Sequence, residues 1–265
     1  MIRAKKRFGQ NFLTDNRKLE SLVAALDLLP GDLVLEIGPG TGNLTELLLN
    51  KEIDLIAVEL DRELLEPLRK RFQSSGKFKL IESDIIKLDL GRATDQRKVK
   101  LIGNLPYNIS GVIVEWLISN WDMIISGVIT VQKEVANRLR AEPGSRDYGS
   151  LSIIAQSHFD IKKLFDLPPG CFTPKPKVDS TALLLKPSNK IDIEFEGFRN
   201  FLYDAFSQKR KKLVNSVVSK SGEKVKSETR ETIEKALAVL GKKADIRAEQ
   251  LSLPEFLELY KLTRA

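Results

Sequence analysis

The sequence predicts an α/β fold, a doubly wound and mostly parallel sheet followed by a small all-helical domain. Three observations predict it. Between Leu33 and about Gln132, short apolar runs alternate with amphipathic stretches, the pattern of repeated strand–helix units. A glycine-rich turn, Gly38-Pro39-Gly40-Thr41-Gly42, follows the first apolar run and opens a helical stretch. Beyond Pro187-Ser188-Asn189 the strand pattern gives way to helical periodicity.

Taken in order, residues 33–37 read as a strand and 44–50 as a helix. Residues 54–58 form a second strand, with a helix over 62–72. Strands at 78–81 and 99–102 follow, then a helix over 112–118 and the apolar run 124–131. After Tyr148 the character shifts. Residues 159–161 and 181–185 look like paired late strands, and the proline-rich stretch 168–176 between them must be a loop. Helical periodicity over 198–213, 228–240 and 253–262 completes the chain. The expected domains are 1–187, with a basic N-terminal arm, and 188–265.

Composition limits the function classes. A chain of 265 residues with 42% hydrophobic and 30% charged content is ordinary for a globular protein with a sizeable core. No apolar run approaches the roughly 20 residues of a membrane helix, and the N-terminus lacks an apolar signal core, so a cytoplasmic address is expected. The single cysteine, Cys171, excludes an intramolecular disulfide and any thiolate metal cluster. No metal site is expected. The net charge of +7 is concentrated in two places. Arg3, Lys5, Lys6 and Arg7 form one cluster; Lys209-Arg210-Lys211-Lys212, extended by Lys220, Lys224 and Lys226, forms the other. Each taken alone reads as a solvated face. With a base-handling motif elsewhere in the chain, they point to nucleic acid, where phosphate contacts supply affinity without sequence choice.

The glycine turn lets a ligand approach the backbone closely. A dinucleotide fingerprint needs Gly-x-Gly-x-x-Gly, and Asn43 stands where its third glycine belongs. The spacing argues against NAD and for a nucleoside cofactor without a pyrophosphate. Glu59, ending the second strand, is placed for two ribose hydroxyls, and Asp84, after the third, for the adenine end. Singly these are surface carboxylates; together they converge on one crevice. Asn104-Leu105-Pro106-Tyr107 follows the fourth strand. By itself the tetrapeptide reads as a turn. It also pairs an amide oxygen with an aromatic ring at a rigid spacing, which suits the exocyclic amine of a flat base.

These residues resemble the class I S-adenosylmethionine-dependent methyltransferases that modify N6 of adenine. Gln10-Asn11-Phe12-Leu13, Gln132-Lys133-Glu134-Val135, Pro143-Gly144-Ser145, Tyr148-Gly149 and the run from Phe172 to Ser180 narrow the likeness. From about Lys5 to the C-terminus the chain is similar to the small-subunit branch of the ribosomal RNA adenine N6-methyltransferase family. The resemblance implies that Asn11 and Leu13 cover the cofactor from the arm. It implies that Gly38 meets the methionine portion, Glu59 the ribose and Asp84 the adenine, with Asn104 at the junction with the target. It also implies that Phe172 faces Tyr107 across the target base. The expected partner is 16S rRNA, within the 30S subunit or its precursor, and the expected state is a monomer. Cys171 replaces a residue usually small in the family, and Gln208 to Lys212 is poorer in arginine, which costs bidentate contacts.

The lone pair of adenine N6 is delocalised into its ring. Acceptors from Asn104 and from a main-chain carbonyl at Leu105 or Pro106 would favour a tetrahedral nitrogen, while Tyr107 stacks on the base. His158, the only histidine, is expected to be structural. Two other readings stay open here: a sister enzyme acting on large-subunit RNA, and a non-catalytic assembly factor.

Overall fold

The computed structural model describes residues 5, 9–188, 190–208, 210–219 and 226–264. The chain packs as two compact units, one of residues 1–136 with 159–187, the other of 137–158 with 188–265. The break at Pro187 coincides with the end of the proline-and-serine boundary in the sequence. The expected first domain nevertheless loses residues 137–158, which pack with the C-terminal helices.

In the first unit the elements run β1 (Phe12–Leu13), α1 (Asn16–Ala25), β2 (Leu33–Ile37), α2 (Asn43–Leu49), β3 (Asp54–Glu59), α3 (Arg62–Phe72), β4 (Phe78–Glu82), α4 (Leu90–Ala93), β5 (Val99–Asn104), α5 (Ser110–Ser119) and β6 (Ile124–Gln132). α6 (Lys133–Leu139) and α7 (Ser150–His158) follow, and β7 (Phe159–Leu167), β8 (Phe172–Thr173) and β9 (Ser180–Pro187) return to the first unit. The seven-stranded sheet has the order β4-β3-β2-β5-β6-β9-β7. Its first five strands are parallel, while β9 runs antiparallel to β6 and β7 antiparallel to β9.

The central strands are covered on both faces, which explains why they read as continuous apolar runs rather than alternating ones. Every residue of β2 is buried, and so are the first five of β5. Helix starts are marked by carboxylates at the N-cap: Asp15 accepts from Lys18 N (3.1 Å) and Asp61 from Glu63 N (3.2 Å). A separate pair of short strands, β1 and β8, joins Leu13 to Phe172 and Phe12 to Thr173. That pairing has no alternating signal in so short a sequence.

The second unit is helical. α8 (Phe195–Phe206), α9 (Leu213–Val218), α10 (Lys226–Val239) and α11 (Leu253–Leu262) join α7 around fully buried Phe198, Leu202, Phe256 and Leu259. The expected single helix over 198–213 is two. α8 ends at Phe206, where Ser207 caps the last turn, and the chain turns before Leu213. α11 starts with a capping box, Glu255 accepting from Ser252 N at 2.8 Å. His158 is buried edge-on against Phe195, 4.5 Å between centroids, and burial holds its pKa low. Among the described residues no helix is long and apolar enough to cross a membrane.

Leu101 lies at the centre of β5 and is fully buried. Leu101→Ala is expected to cost about 3 kcal/mol through lost transfer energy and a residual cavity, read as a lower denaturant midpoint at unchanged slope.

Candidate active site

The site forms where the strand order reverses. β2 leads outward to β3 and β4, β5 leads outward to β6, and the carboxyl ends of β2 and β5 bound a crevice between them. A cavity of about 300 Å³ occupies that crevice. Gly38, Glu59, Asp84, Asn104, Leu105, Pro106 and Tyr107 line it, and residues 9–12 of the N-terminal arm close one side.

The glycine turn is shaped by two different needs. Gly38 has φ of 66°, and a Cβ there would meet nothing within 4 Å, so the space beside it is an open cradle. At Gly40 (φ 58°) a Cβ would lie 2.8 Å from the Phe12 ring, so only glycine lets the arm pack on the turn.

The carboxylate of Glu59 is held at the end of β3 by two main-chain donors, Asp61 N (2.8 Å) and Gly40 N (3.2 Å). Burial raises its pKa in spite of these bonds. Asp84 caps the 3₁₀ turn over Ile85–Lys87 and lines the cavity. Asp61 ties down the arm: it accepts from Lys5 Nζ (2.6 Å) and Gln10 Nε2 (3.0 Å), and Lys5 also pairs with Glu63 at 2.9 Å. Burial alone would raise the Asp61 pKa, but the Lys5 and Gln10 bonds more than offset it and hold it low.

Asn104 ends β5. Its Nδ2 donates to the Asn11 carbonyl at 2.7 Å, and donation to a carbonyl settles which end of the amide is oxygen. Oδ1 is buried and has no hydrogen-bond partner among the described residues. An unsatisfied buried acceptor costs roughly 1–3 kcal/mol, and here it belongs to a residue that lines the cavity. The next residues are firmly built. Leu105 N donates to Thr130 O (2.9 Å), and the Pro106 carbonyl accepts from Ser110 Oγ (2.9 Å) and Ile109 N (3.2 Å). Of the two carbonyls the sequence offered as a second acceptor, Pro106 is therefore engaged within the loop. The ring of Tyr107 is half-buried, and burial raises the pKa of its phenol.

Two expected site residues lie elsewhere. Phe172 is fully buried in the core among Leu13, Leu22 and Cys171, and it does not line the cavity. Alternation along β8 sends Phe172 inward opposite Leu13 and leaves Thr173 outward. Leu13 is also a core residue, bordering a smaller space of about 30 Å³ behind Gly38 and Gly40 rather than the main cavity. Asn11 is at the cavity, though the group it offers Asn104 is its main-chain carbonyl. Cys171 is buried beside Asp15, where burial raises its thiol pKa. Of the basic clusters, Arg3, Lys6, Arg7, Lys209, Lys220 and Lys224 lie outside the described residues. Arg210, Lys211 and Lys212 are exposed.

Sequence reasoning gave no role to Asp61 or Glu36. Nothing in the sequence distinguishes Asp61 from an ordinary helix cap. Glu36 did carry a signal, a carboxylate inside an apolar run read as a buried strand. It is fully buried, with Oε2 accepting from Thr45 Oγ1 (2.7 Å) and Oε1 without a partner among the described residues. Burial, with a smaller contribution from nearby Glu59, pushes its pKa up to about 8.

Residues 1–252 match the family described as ribosomal RNA adenine dimethylase. The chain belongs to this family. Among relatives of this dimethylase, ribosomal RNA small subunit methyltransferase A of Acidobacterium capsulatum is 41% identical over 261 residues, covering 97% of this chain and 90% of the relative. The protein of the same name from Geobacter metallireducens is 38% identical and covers 100% of this chain and 97% of its own. Among solved structures, a dimethyladenosine transferase from Plasmodium falciparum superposes with a TM-score of 0.80 at 27% identity, covering 94% of this chain and 95% of that one. The 23S rRNA methyltransferase ErmE shares the fold, with a TM-score of 0.70, 22% identity and coverage of 96% and 100%. The fold is that of the class I S-adenosylmethionine-dependent methyltransferases. The residues fit that cofactor: an open cradle at Gly38 and a carboxylate fixed at the end of β3.

The folded chain keeps the Glu36 proton to about pH 8, whereas the unfolded chain loses it near 4.5. Stability therefore falls as pH rises through that window and levels off above it. Glu36→Gln removes this slope, so its stability relative to wild type is expected to improve by on the order of 3 kcal/mol between pH 5 and 9, measured by denaturant unfolding.

Proposed function

We propose that the chain transfers methyl groups from S-adenosylmethionine to N6 of two adjacent adenosines in the 3′-terminal hairpin of 16S rRNA. It would act as a cytoplasmic monomer on the 30S subunit or its precursor, late in assembly. The single observation that carries the reading is the Asn104 amide, on a residue that lines the cavity, clamped through Nδ2 and left with an oxygen that has no partner among the described residues. A donor of matched shape, such as an exocyclic amine, satisfies that oxygen.

In this reading Glu59 holds the two ribose hydroxyls, Asp84 the adenine of the cofactor, and the Gly38 cradle the methionine portion. When bound, the cofactor supplies an electrophilic methyl on a sulfonium. The chain supplies position. Asn104 Oδ1 accepts one hydrogen of the amine. The Leu105 carbonyl accepts the other, since the Pro106 carbonyl is already engaged by Ser110 and Ile109. With both hydrogens drawn aside, the nitrogen lone pair localises and points out of the base plane. Tyr107 stacks on the base, a contact worth about 1–3 kcal/mol. Orientation of this kind accounts for much of a displacement barrier without a strong general base. The target must reach the cavity unpaired. The arm around Lys5, the exposed Arg210, Lys211 and Lys212, and the helical unit supply phosphate contacts.

The test is methyl transfer from labelled cofactor to undermethylated 30S subunits. Asn104→Ala is expected to lower kcat by about 100-fold or more, the cost of a lost transition-state hydrogen bond. Undiminished turnover would remove Asn104 from the chemistry, and transfer only to large-subunit RNA would redirect the substrate. Glu59→Ala is expected to weaken S-adenosylhomocysteine binding by about tenfold or more, read by calorimetry.

A further inference from the structure

We infer that Ser180 is a positioning residue for the reaction: its hydroxyl anchors the Tyr107 ring so that the target base stays clamped through both methyl transfers. The inference rests on the proposed function and deepens it.

Tyr107 sits in the loop after β5, where the main chain alone leaves the ring free to swing about its first side-chain torsion. Its hydroxyl, however, is hydrogen-bonded to Ser180 Oγ. Either oxygen can donate. The ring is thus fixed at two points, its backbone and its far end. Ser180 is a rigid support. It is fully buried, it opens β9, and it is paired on both sides, with Gln132 of β6 and Leu167 of β7. The corner before it is held by Lys133 N donating to the Asp179 carbonyl at 3.0 Å. The residue after it is held by Thr181 Oγ1 donating to Asp166 Oδ1 at 2.7 Å. The loop that carries Tyr107 is stapled separately, by Ser110 Oγ to the Pro106 carbonyl. Two independently fixed supports therefore set the plane of one ring that lines the cavity.

The same geometry gives the hydroxyl a role other than proton transfer. Its hydrogen bond points to the sheet, and burial keeps the phenol protonated. Ring placement matters more at the second transfer. Monomethylated adenine carries an added methyl on N6 and must turn about its C6–N6 bond while the base stays stacked. A looser ring lets that intermediate leave.

The experiment uses the full chain on undermethylated 30S subunits and measures kcat, S-adenosylhomocysteine affinity, melting temperature, and the ratio of mono- to dimethyladenosine after RNA digestion. Ser180→Ala and Tyr107→Phe are each expected to lower kcat about five- to tenfold, the scale of one hydrogen bond, and to raise the monomethyl share. Cofactor affinity stays at the wild-type value. The double variant is expected to be no worse than either single one, and Ser180→Thr, which keeps the hydroxyl, to recover much of the loss. Tyr107→Phe keeps the ring and leaves Ser180 in place, so it reads the anchor even if Ser180→Ala is poorly folded. A wild-type product ratio in Tyr107→Phe, or additive losses in the double variant, would overturn the inference. Wild-type protein that fails to methylate adenine would instead overturn the proposed function, and the inference with it.

Discussion

The hydrogen bond from Asn104 Nδ2 to the Asn11 carbonyl is the constraint on which the rest of the site depends. It joins the end of β5 to the arm at Asn11, and it fixes which end of the amide is left for a ligand. The arm is held again at Asp61 by Lys5 and Gln10, and at Leu13, whose carbonyl accepts from Asn43 Nδ2 at 3.1 Å. Three attachments at three strand or helix ends hold residues 9–12 as a wall of the cavity. The acceptor they leave unsatisfied is a cost in the ligand-free chain, and in the proposed function it becomes a contribution once a donor arrives.

The same economy appears in the carboxylates. Glu36 and Glu59 lie at or near the carboxyl ends of adjacent parallel strands, where apolar residues would pack more stably. Main-chain donors stabilise Glu59 in place, while Glu36 answers burial by holding its proton. Local stability is sacrificed at the strand ends, and the apolar strand interiors that flank them make it tolerable.

Much of this was legible in the sequence. The strands at 33–37, 54–59 and 78–82 and the helix at 62–72 stand within a residue of their expected places, because fully buried strands and amphipathic helices carry strong periodic signals. Gly38, Glu59, Asp84 and Asn104 gather at one cavity, as residues at strand ends of a doubly wound sheet should. What the sequence hid has physical reasons. β1 and β8 are two residues each, too short to alternate. Phe172 looked available for a base because motif likeness says nothing of which side of a short strand faces the core. Residues 137–158 pack in the second compact unit through tertiary contacts of α7 that the sequence does not mark, whereas it does mark the end of the sheet at Pro187. Ser180 stood in a recognised run of residues, but its partner is 73 positions away.

In the proposed function the oxygen of Asn104 receives the N6 amine of adenine. The most direct measurement is a crystal structure of the chain with S-adenosylhomocysteine and an adenosine-containing RNA hairpin. N6 is expected within hydrogen-bonding distance of Asn104 Oδ1 and of the Leu105 carbonyl, with Nδ2 still donating to Asn11. An adenine bound with N6 turned away from Asn104, or an amide flipped to bond elsewhere in the protein, would contradict it.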